Sequence, residues 1–178
     1  GDYPSAESAI REGVSIYDRL LGEAHPNVAT GMDRLARLQF LQGDYTGAKQ
    51  SAEKAIAIQD TKLPAEHPQR AYPLTTLGMV LTRSGHVPEA EPHLQRALFL
   101  REKNLPPNHW LVAETKLALG ESLSAQNKPA EALLVAGYES LKMSLGAEHP
   151  RTRAAAFVLA KFYEATGRPE IAARYRAS

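Results

Sequence analysis

The sequence predicts an all-α solenoid, a stack of helix-turn-helix units, and three observations carry that prediction. A marker that reads Leu-Gly-Glu-Ala-His25-Pro26 returns at His67-Pro68, His109-Trp110 and His149-Pro150, with spacings of 42, 42 and 40 residues. A second marker keeps the same phase: Gly1-Asp2-Tyr3 becomes Gly43-Asp44-Tyr45, Gly85-His86-Val87, Asn127-Lys128-Pro129 and Gly167-Arg168-Pro169. Between the markers, apolar residues recur at helical offsets, and neither sustained alternation nor an Asn-Gly hairpin signals a strand. Two markers in phase over the chain mean one supersecondary unit used about four and a half times.

The elements follow in order. The first helix, Tyr3 to Leu21, has an apolar face of Ala6, Ile10, Val14 and Tyr17 but no preceding partner, so that face needs cover. A first-type helix, here called A, then runs roughly from Pro26 to Gln42, with proline at the start, where its missing N–H has no intrahelical partner. The large-small pairs Leu35-Ala36, Leu77-Gly78, Leu119-Gly120 and Leu159-Ala160 recur in the four A helices and let a partner helix approach closely. Gly43, Gly85, Asn127 and Gly167 end them, as left-handed caps should. The second-type helix, B, follows; in the first full repeat it reads from about Gly47 to Gln59, with Ala48, Ala52, Ala55, Ile56 and Ile58 inward. Equivalent alanines are expected at Ala6, Ala48, Ala90, Ala132 and Ala172, packed against the A helices. The 40-residue repeat is expected to lack two residues between its B helix and the next His-Pro, with Gly137 shortening or kinking that helix. The end, Tyr175 to Ser178, reads as a polar, frayed terminus. The repeats then divide one continuous array into a half repeat at 1–24, full repeats at 25–66, 67–108 and 109–148, and a short last repeat at 149–178.

Composition narrows the function classes. With 21 basic and 20 acidic residues in 178, the net charge is +1, and no basic run points to nucleic acid or an anionic membrane. There is no cysteine, which removes disulfides, thiolate nucleophiles and sulfur-ligated metal. No apolar run approaches the ~18 residues of a membrane span, and no secretory signal is visible, so a cytoplasmic setting is expected. The chain begins at Gly1, inside the repeat pattern, and reads as a piece of a longer protein.

In the second full repeat, Leu77-Gly78, Leu81, Gly85, Ala90, Leu94 and Ala97-Leu98 match the tetratricopeptide repeat pattern. The usual repeat has ~34 residues. The 42-residue period, with Gly-Asp-Tyr, Ala-Glu-Pro and Leu-Gly-x-x-His-Pro, more closely resembles the kinesin light chain variety, which is also found in bacterial multidomain proteins. The resemblance implies a right-handed superhelix of about nine antiparallel helices whose A helices line a concave groove for an extended or helical peptide. By alignment, the groove residues are Asp33, Arg37 and Phe40, then Tyr72, Thr75, Met79 and Arg83, then Glu114, Leu117 and Glu121, with Thr30, Phe157 and Lys161 beside them. Such a groove would be basic near Arg37 and Arg83 and acidic near Glu114 and Glu121. Two departures limit the analogy. Relatives that clamp C-terminal carboxylates place Lys, Arg and Asn where this chain has Asp33, Arg37, Thr76, Glu114 and Ala118, and an acidic residue opposes that ligand. The paired asparagines usual in kinesin light chains are replaced by Asp33-Arg34, Thr75-Thr76, Leu117-Ala118 and Phe157-Val158, so kinesin cargo does not carry over.

Catalytic and metal signals are poor. Four of the six histidines are the repeat marker. Equivalent residues of stacked repeats lie roughly 10 Å apart, whereas ligands of one ion sit ~2 Å from it. They are expected to fix the entry into each A helix instead. His86, Glu89 and His93 form the sharper metal candidate, but Gly85-His86 reads as the ordinary turn and no metal is expected. No nucleophile elbow, phosphate loop or His-Glu-x-x-His occurs. Trp110 is expected to pack rather than to contact a ligand. The sequence therefore predicts a non-enzymatic interaction module without cofactor or metal, binding a protein or peptide and neither nucleic acid nor membrane. The alternatives are a self-assembling scaffold joined through the end helices, or the regulatory tail of a bacterial multidomain enzyme such as a serine/threonine kinase.

Overall fold

The computed structural model describes residues 2–176. These form α1 (Tyr3–Leu21), α2 (Pro26–Gln42), α3 (Tyr45–Lys62), a 3-10 turn (Pro68–Arg70), α4 (Ala71–Arg83), α5 (Val87–Asn104), α6 (Trp110–Ala125), α7 (Glu131–Leu145), α8 (Pro150–Ala165) and α9 (Pro169–Arg176). They fall into two compact units, Gly1–Leu100 and Arg101–Ser178. α1, α3, α5, α7 and α9 are the B helices, and α2, α4, α6 and α8 the A helices.

The histidine marker is a helix cap. Nδ1 of His25, His67, His109 and His149 accepts the backbone N–H two residues on, at 3.1, 3.3, 3.1 and 3.2 Å. Each imidazole thus does what Ser or Asp does at most helix starts, satisfying one of the orphan N–H groups. Asp2 and Asp44 do the same for α1 and α3, accepting from Ser5 and Gly47 at 3.2 and 2.9 Å. At the A-to-B turns, Gly43, Gly85 and Gly167 have φ of 83, 86 and 73°, and Asn127 has 56°. That is the left-handed conformation a glycine adopts without strain and asparagine tolerates.

Large-small pairing packs the hairpins. A Cβ on Gly78 would lie 2.3 Å from Leu94 Cγ, and one on Gly120 would lie 2.5 Å from Leu134 Cδ2. The absent side chain is what admits the leucine, and burying each leucine contributes about 2 kcal/mol. In the first unit, Val28, Ala29, Ala55 and Ile58 form one cluster, and Ala71, Leu74, Ala97 and Leu100 another. In the second unit, one cluster runs from Ala113 through Leu134, Tyr138 and Leu159 to Tyr163 and Ala172.

Several expectations need correction. α3 runs from Tyr45 to Lys62, longer than Gly47 to Gln59, because its cap is Asp44. Ala132 is exposed, and Ala130 is the buried alanine of the third repeat. The two missing residues are therefore lost at the A-to-B turn, before α7, and not after it. Leu94 and Leu134, which fill equivalent sites, confirm the 40-residue offset. The same loss removes the first turn of α7, which has 15 residues against 18 in α3 and α5, and Ala130 gives it no side-chain cap. Gly137 has a packing role: a Cβ there would lie 2.7 Å from Leu117 Cγ and 3.0 Å from the Ala113 carbonyl. Ala6, lacking a covering helix, is exposed where Ala48, Ala90 and Ala172 are buried.

Tyr175 is packed, unlike the frayed end expected. Its ring stacks on Tyr163 (5.6 Å, 10°) and meets Tyr138 edge-on (5.2 Å). Ala177 and Ser178 lie outside the described residues. The Tyr163 hydroxyl donates to Glu131 (2.9 Å), which Arg168 also binds at 2.9 Å. Burial, then the Glu131 carboxylate, pushes the Tyr163 phenol up to about 12. Hydrogen bonds from Arg168 and Tyr163 hold the Glu131 carboxyl below its ordinary range.

Candidate partner-binding surface

The A helices bring the expected groove residues to different depths. In the first unit, Asp33 is buried and accepts the Thr76 hydroxyl at 2.7 Å. Thr75 is fully buried and bonds the Ala71 carbonyl. Asp33 and Thr76 thus join α2 to α4. Arg37, Phe40 and Met79 are half-buried, and Phe40 packs on Tyr45 with ring centroids 5.8 Å apart. Tyr72 is 41% exposed and Arg83 is exposed. Of the first unit's expected groove residues, Arg37, Phe40, Tyr72, Met79 and Arg83 therefore keep some exposure.

In the second unit, Leu117 is buried in the core beneath Gly137, so it serves packing. Glu114 and Glu121 are half-buried. The acidic character expected at Glu114 is offset, because Arg151 pairs with it at 3.2 Å and the buried Arg101 lies 3.6 Å away. Arg101 also donates to the Leu111 carbonyl (2.6 Å) and to the Thr115 hydroxyl. The Arg151 guanidinium lies 4.1 Å from the Trp110 ring centre, and that ring is half-buried against the core, in keeping with packing. Phe157 is 56% exposed, with the Lys161 ammonium 4.5 Å from its ring centre.

Two features escaped the sequence reading. One is the Arg101–Glu114–Arg151–Trp110 cluster, whose members are spread over 51 residues and have no common spacing. The other is a cavity of about 690 Å³ beside the shortened start of α7, lined by Asn127, Pro129, Glu131, Phe162 and Thr166 among others. The metal candidate does not assemble: His86 Nδ1 lies 3.2 Å from the Ser84 hydroxyl, and His93 sits half-buried with Glu53 and Glu89 near. Among the described residues, no group of three or more His, Cys, Asp or Glu is placed to hold a metal, and no helix is long and apolar enough to cross a membrane.

Tetratricopeptide repeat profiles match residues 1–61 and, separately, residues 74–111. The chain is a tetratricopeptide-repeat protein. The helices of this tetratricopeptide-repeat chain superpose on solved structures of the same kind. The nearly identical TPR-like repeats of a Podosopora anserina protein assigned as a kinesin light chain match with 26% identity and a TM-score of 0.73, over 98% of this chain and 84% of that one. A single-substitution variant of that protein gives 26% identity and a TM-score of 0.75, over the same shares of the two chains. BtubC (BKLC) from P. vanneervenii shares the fold at 17% identity and a TM-score of 0.72, over 99% of this chain and 72% of that one. No curated protein matches. Tetratricopeptide repeats generally mediate protein–protein interaction, and this fold is typically a non-enzymatic module.

Proposed function

We propose that the chain is a cytoplasmic recruitment module within a longer protein, and that its A-helix surfaces bind an extended or helical peptide of mixed charge. The repeats at 25–66, 67–108, 109–148 and 149–178 are its building blocks. Tyr72 carries the reading. Its neighbours Ala71, Pro73, Leu74, Thr75 and Thr76 are all buried, while Tyr72 itself is 41% exposed. An exposed tyrosine brings a large, stiff contact area at little entropic cost, which suits an anchor. Met79, two turns further along the same helix, adds an apolar side chain, and Arg83 adds charge one turn beyond it. In the second unit, Phe157 with Lys161 offers a similar pair of ring and cation. The ligand then carries one or two large apolar residues with carboxylates beside them. Binding rests on these contacts, with no chemistry of the module's own.

The test compares pull-downs from source lysate by the wild-type chain and by a triple variant, Arg37→Glu with Tyr72→Ala and Arg83→Glu, of matched helicity. A partner held by the wild type and lost by the variant supports the reading. Equal retention by both places binding elsewhere and overturns it.

A further inference from the structure

We propose that the cavity beside the shortened start of α7 is a binding site for a phenol ring, carried by a small molecule or by a tyrosine of a partner. This goes beyond peptide recruitment by the A-helix surfaces and uses none of the residues on which that reading rests.

The cavity measures about 690 Å³, within the roughly 300–1,000 Å³ usual for small-ligand sites. Its walls are the end of α6 with the turn after it (Ser124, Asn127, Pro129), the first turn of α7 (Leu133) and the last turns of α8 (Phe162, Ala165). All of them lie in the second compact unit.

The internal repeat shows what is missing there. The Asp44 N–H donates to the Gln39 carbonyl, five residues back, at 2.9 Å, and the Lys128 N–H donates to the Leu123 carbonyl in the same way at 2.9 Å. Lys128 therefore stands where Asp44 stands. Ala48 and Ala130, both buried, are the next equivalent pair. Between those points the first full repeat has Tyr45, Thr46 and Gly47, and the third has Pro129 alone. Tyr45 is left without a counterpart. In the first full repeat its ring is half-buried and packs on Phe40, with centroids 5.8 Å apart. Two periods of 42 residues carry Phe40 onto Ser124, which lines the cavity. The third repeat thus lacks both rings of that pair, and the void beside Ser124 is the space they would fill.

What remains suits an aromatic guest. Phe162 supplies one ring wall. It is backed by Tyr163, edge-on at 5.4 Å, and by the Arg168 guanidinium, 5.7 Å from its ring centre, and neither of these lines the cavity. A guest ring can pack on Phe162 as Tyr45 packs on Phe40, in the offset or edge-on geometry that aromatic pairs prefer. Ala165 is small and exposed, which leaves a way in from solvent. Ser124 and Asn127 put a hydroxyl and an amide into the wall, both able to bond a phenol O–H.

The test titrates two probes into the full chain and follows nitrogen-15 amide shifts. One is p-cresol, the free tyrosine side chain; the other is N-acetyl-tyrosinamide, the same ring on a peptide backbone. Saturable shifts are expected at Ser124, Asn127, Leu133 and Ala165. Tighter binding of p-cresol assigns the site to a small phenol, and tighter binding of the amide assigns it to a partner's tyrosine. Inserting Tyr-Thr between Lys128 and Pro129 restores the 42-residue period and the lost ring, and should weaken both probes about tenfold or more. Ala165→Trp, at an exposed position, fills the cavity from α8 and should do the same even where the insertion fails to fold. Shifts that do not saturate overturn the proposal, as does undiminished binding in Ala165→Trp. Toluene binding as tightly as p-cresol overturns it by removing the role of the hydroxyl. The Arg37→Glu, Tyr72→Ala, Arg83→Glu chain should bind both probes as the wild type does, and loss of binding there overturns the proposal too.

Discussion

The two end helices make opposite use of the same repeat. α1 has 19 residues and a well-formed apolar face, yet none of its residues is buried. α9 has 8 residues, too few to be stable alone, yet Ala172 is fully buried and Tyr175 is held between Tyr138 and Tyr163. What differs is the partner. α9 closes onto α8, the A helix of its own repeat, whereas α1 meets only the A helix of the following one. In this architecture the cover decides whether a helix is part of a core, and length and propensity do not.

Tyr175→Ala should make α9 resemble α1, and it carries the largest expected effect. Losing two aromatic contacts and the partly buried ring costs about 2–4 kcal/mol. The expected signs are a lower urea midpoint and faster amide exchange confined to α9; unchanged exchange there would show that Ala172 alone suffices to hold the helix. Next comes a pair of glycines at equivalent places. Gly137→Ala forces a methyl against Leu117 and the Ala113 carbonyl and should cost about 1–3 kcal/mol. Gly13→Ala meets nothing and should stabilise α1 by about 0.5–1 kcal/mol through helix propensity. Equal effects in thermal melts would erase the distinction between covered and uncovered B helices.

The caps sharpen the comparison by being alike at both ends. His25→Ala, after α1, and His149→Ala, before α9, should each cost about 1 kcal/mol, with His→Asn largely restoring stability. A large difference between them would mean that the imidazoles do more than cap. The smallest expected effect belongs to an interior B helix. Burial holds the His93 imidazole below its ordinary 6.5, against the opposing pull of Glu53 on α3 and Glu89 on α5. The unfolded chain then takes up a proton more readily than the folded one, so stability falls as pH drops through 6.5. His93→Asn should flatten that slope by a few tenths of a kcal/mol, read from melting temperatures between about pH 5 and 7.

Much of this was legible in the chain. Two markers in phase located the helices, and the bounds of α1 and α2 match the reading residue for residue. The histidines are expected at the entry to each A helix; three cap α2, α6 and α8, and His67 caps the 3-10 turn that leads into α4. The placement of the two-residue loss was not legible, since Asn127-Lys128-Pro129 still aligns with Gly-Asp-Tyr and Ala132 still looks like the conserved-sized alanine of its neighbours. Only the burial of Ala130 and the seating of Leu134 on Gly120 settle it. The candidate surface was half legible for a related reason. Helical offsets place Asp33, Thr75 and Leu117 on the same stripe as Arg37 and Met79, but A helices touch one another as well as the ligand side. An offset cannot separate a residue in that seam from one a turn away in solvent. Tyr175 was misjudged because polar neighbours, Arg174 and Arg176, masked the aromatic partners waiting on α7 and α8.

The histidine caps also make the chain self-reporting. An imidazole that accepts through Nδ1 must carry its proton on Nε2. Four such rings, three capping α2, α6 and α8 and one capping the 3-10 turn before α4, are therefore held in a single tautomer while those starts are intact. Nitrogen-15 spectra of the side chains would resolve that tautomer ring by ring. A ring that begins to sample the other tautomer marks the repeat that has opened, so local melting can be followed along the chain without a label that perturbs it.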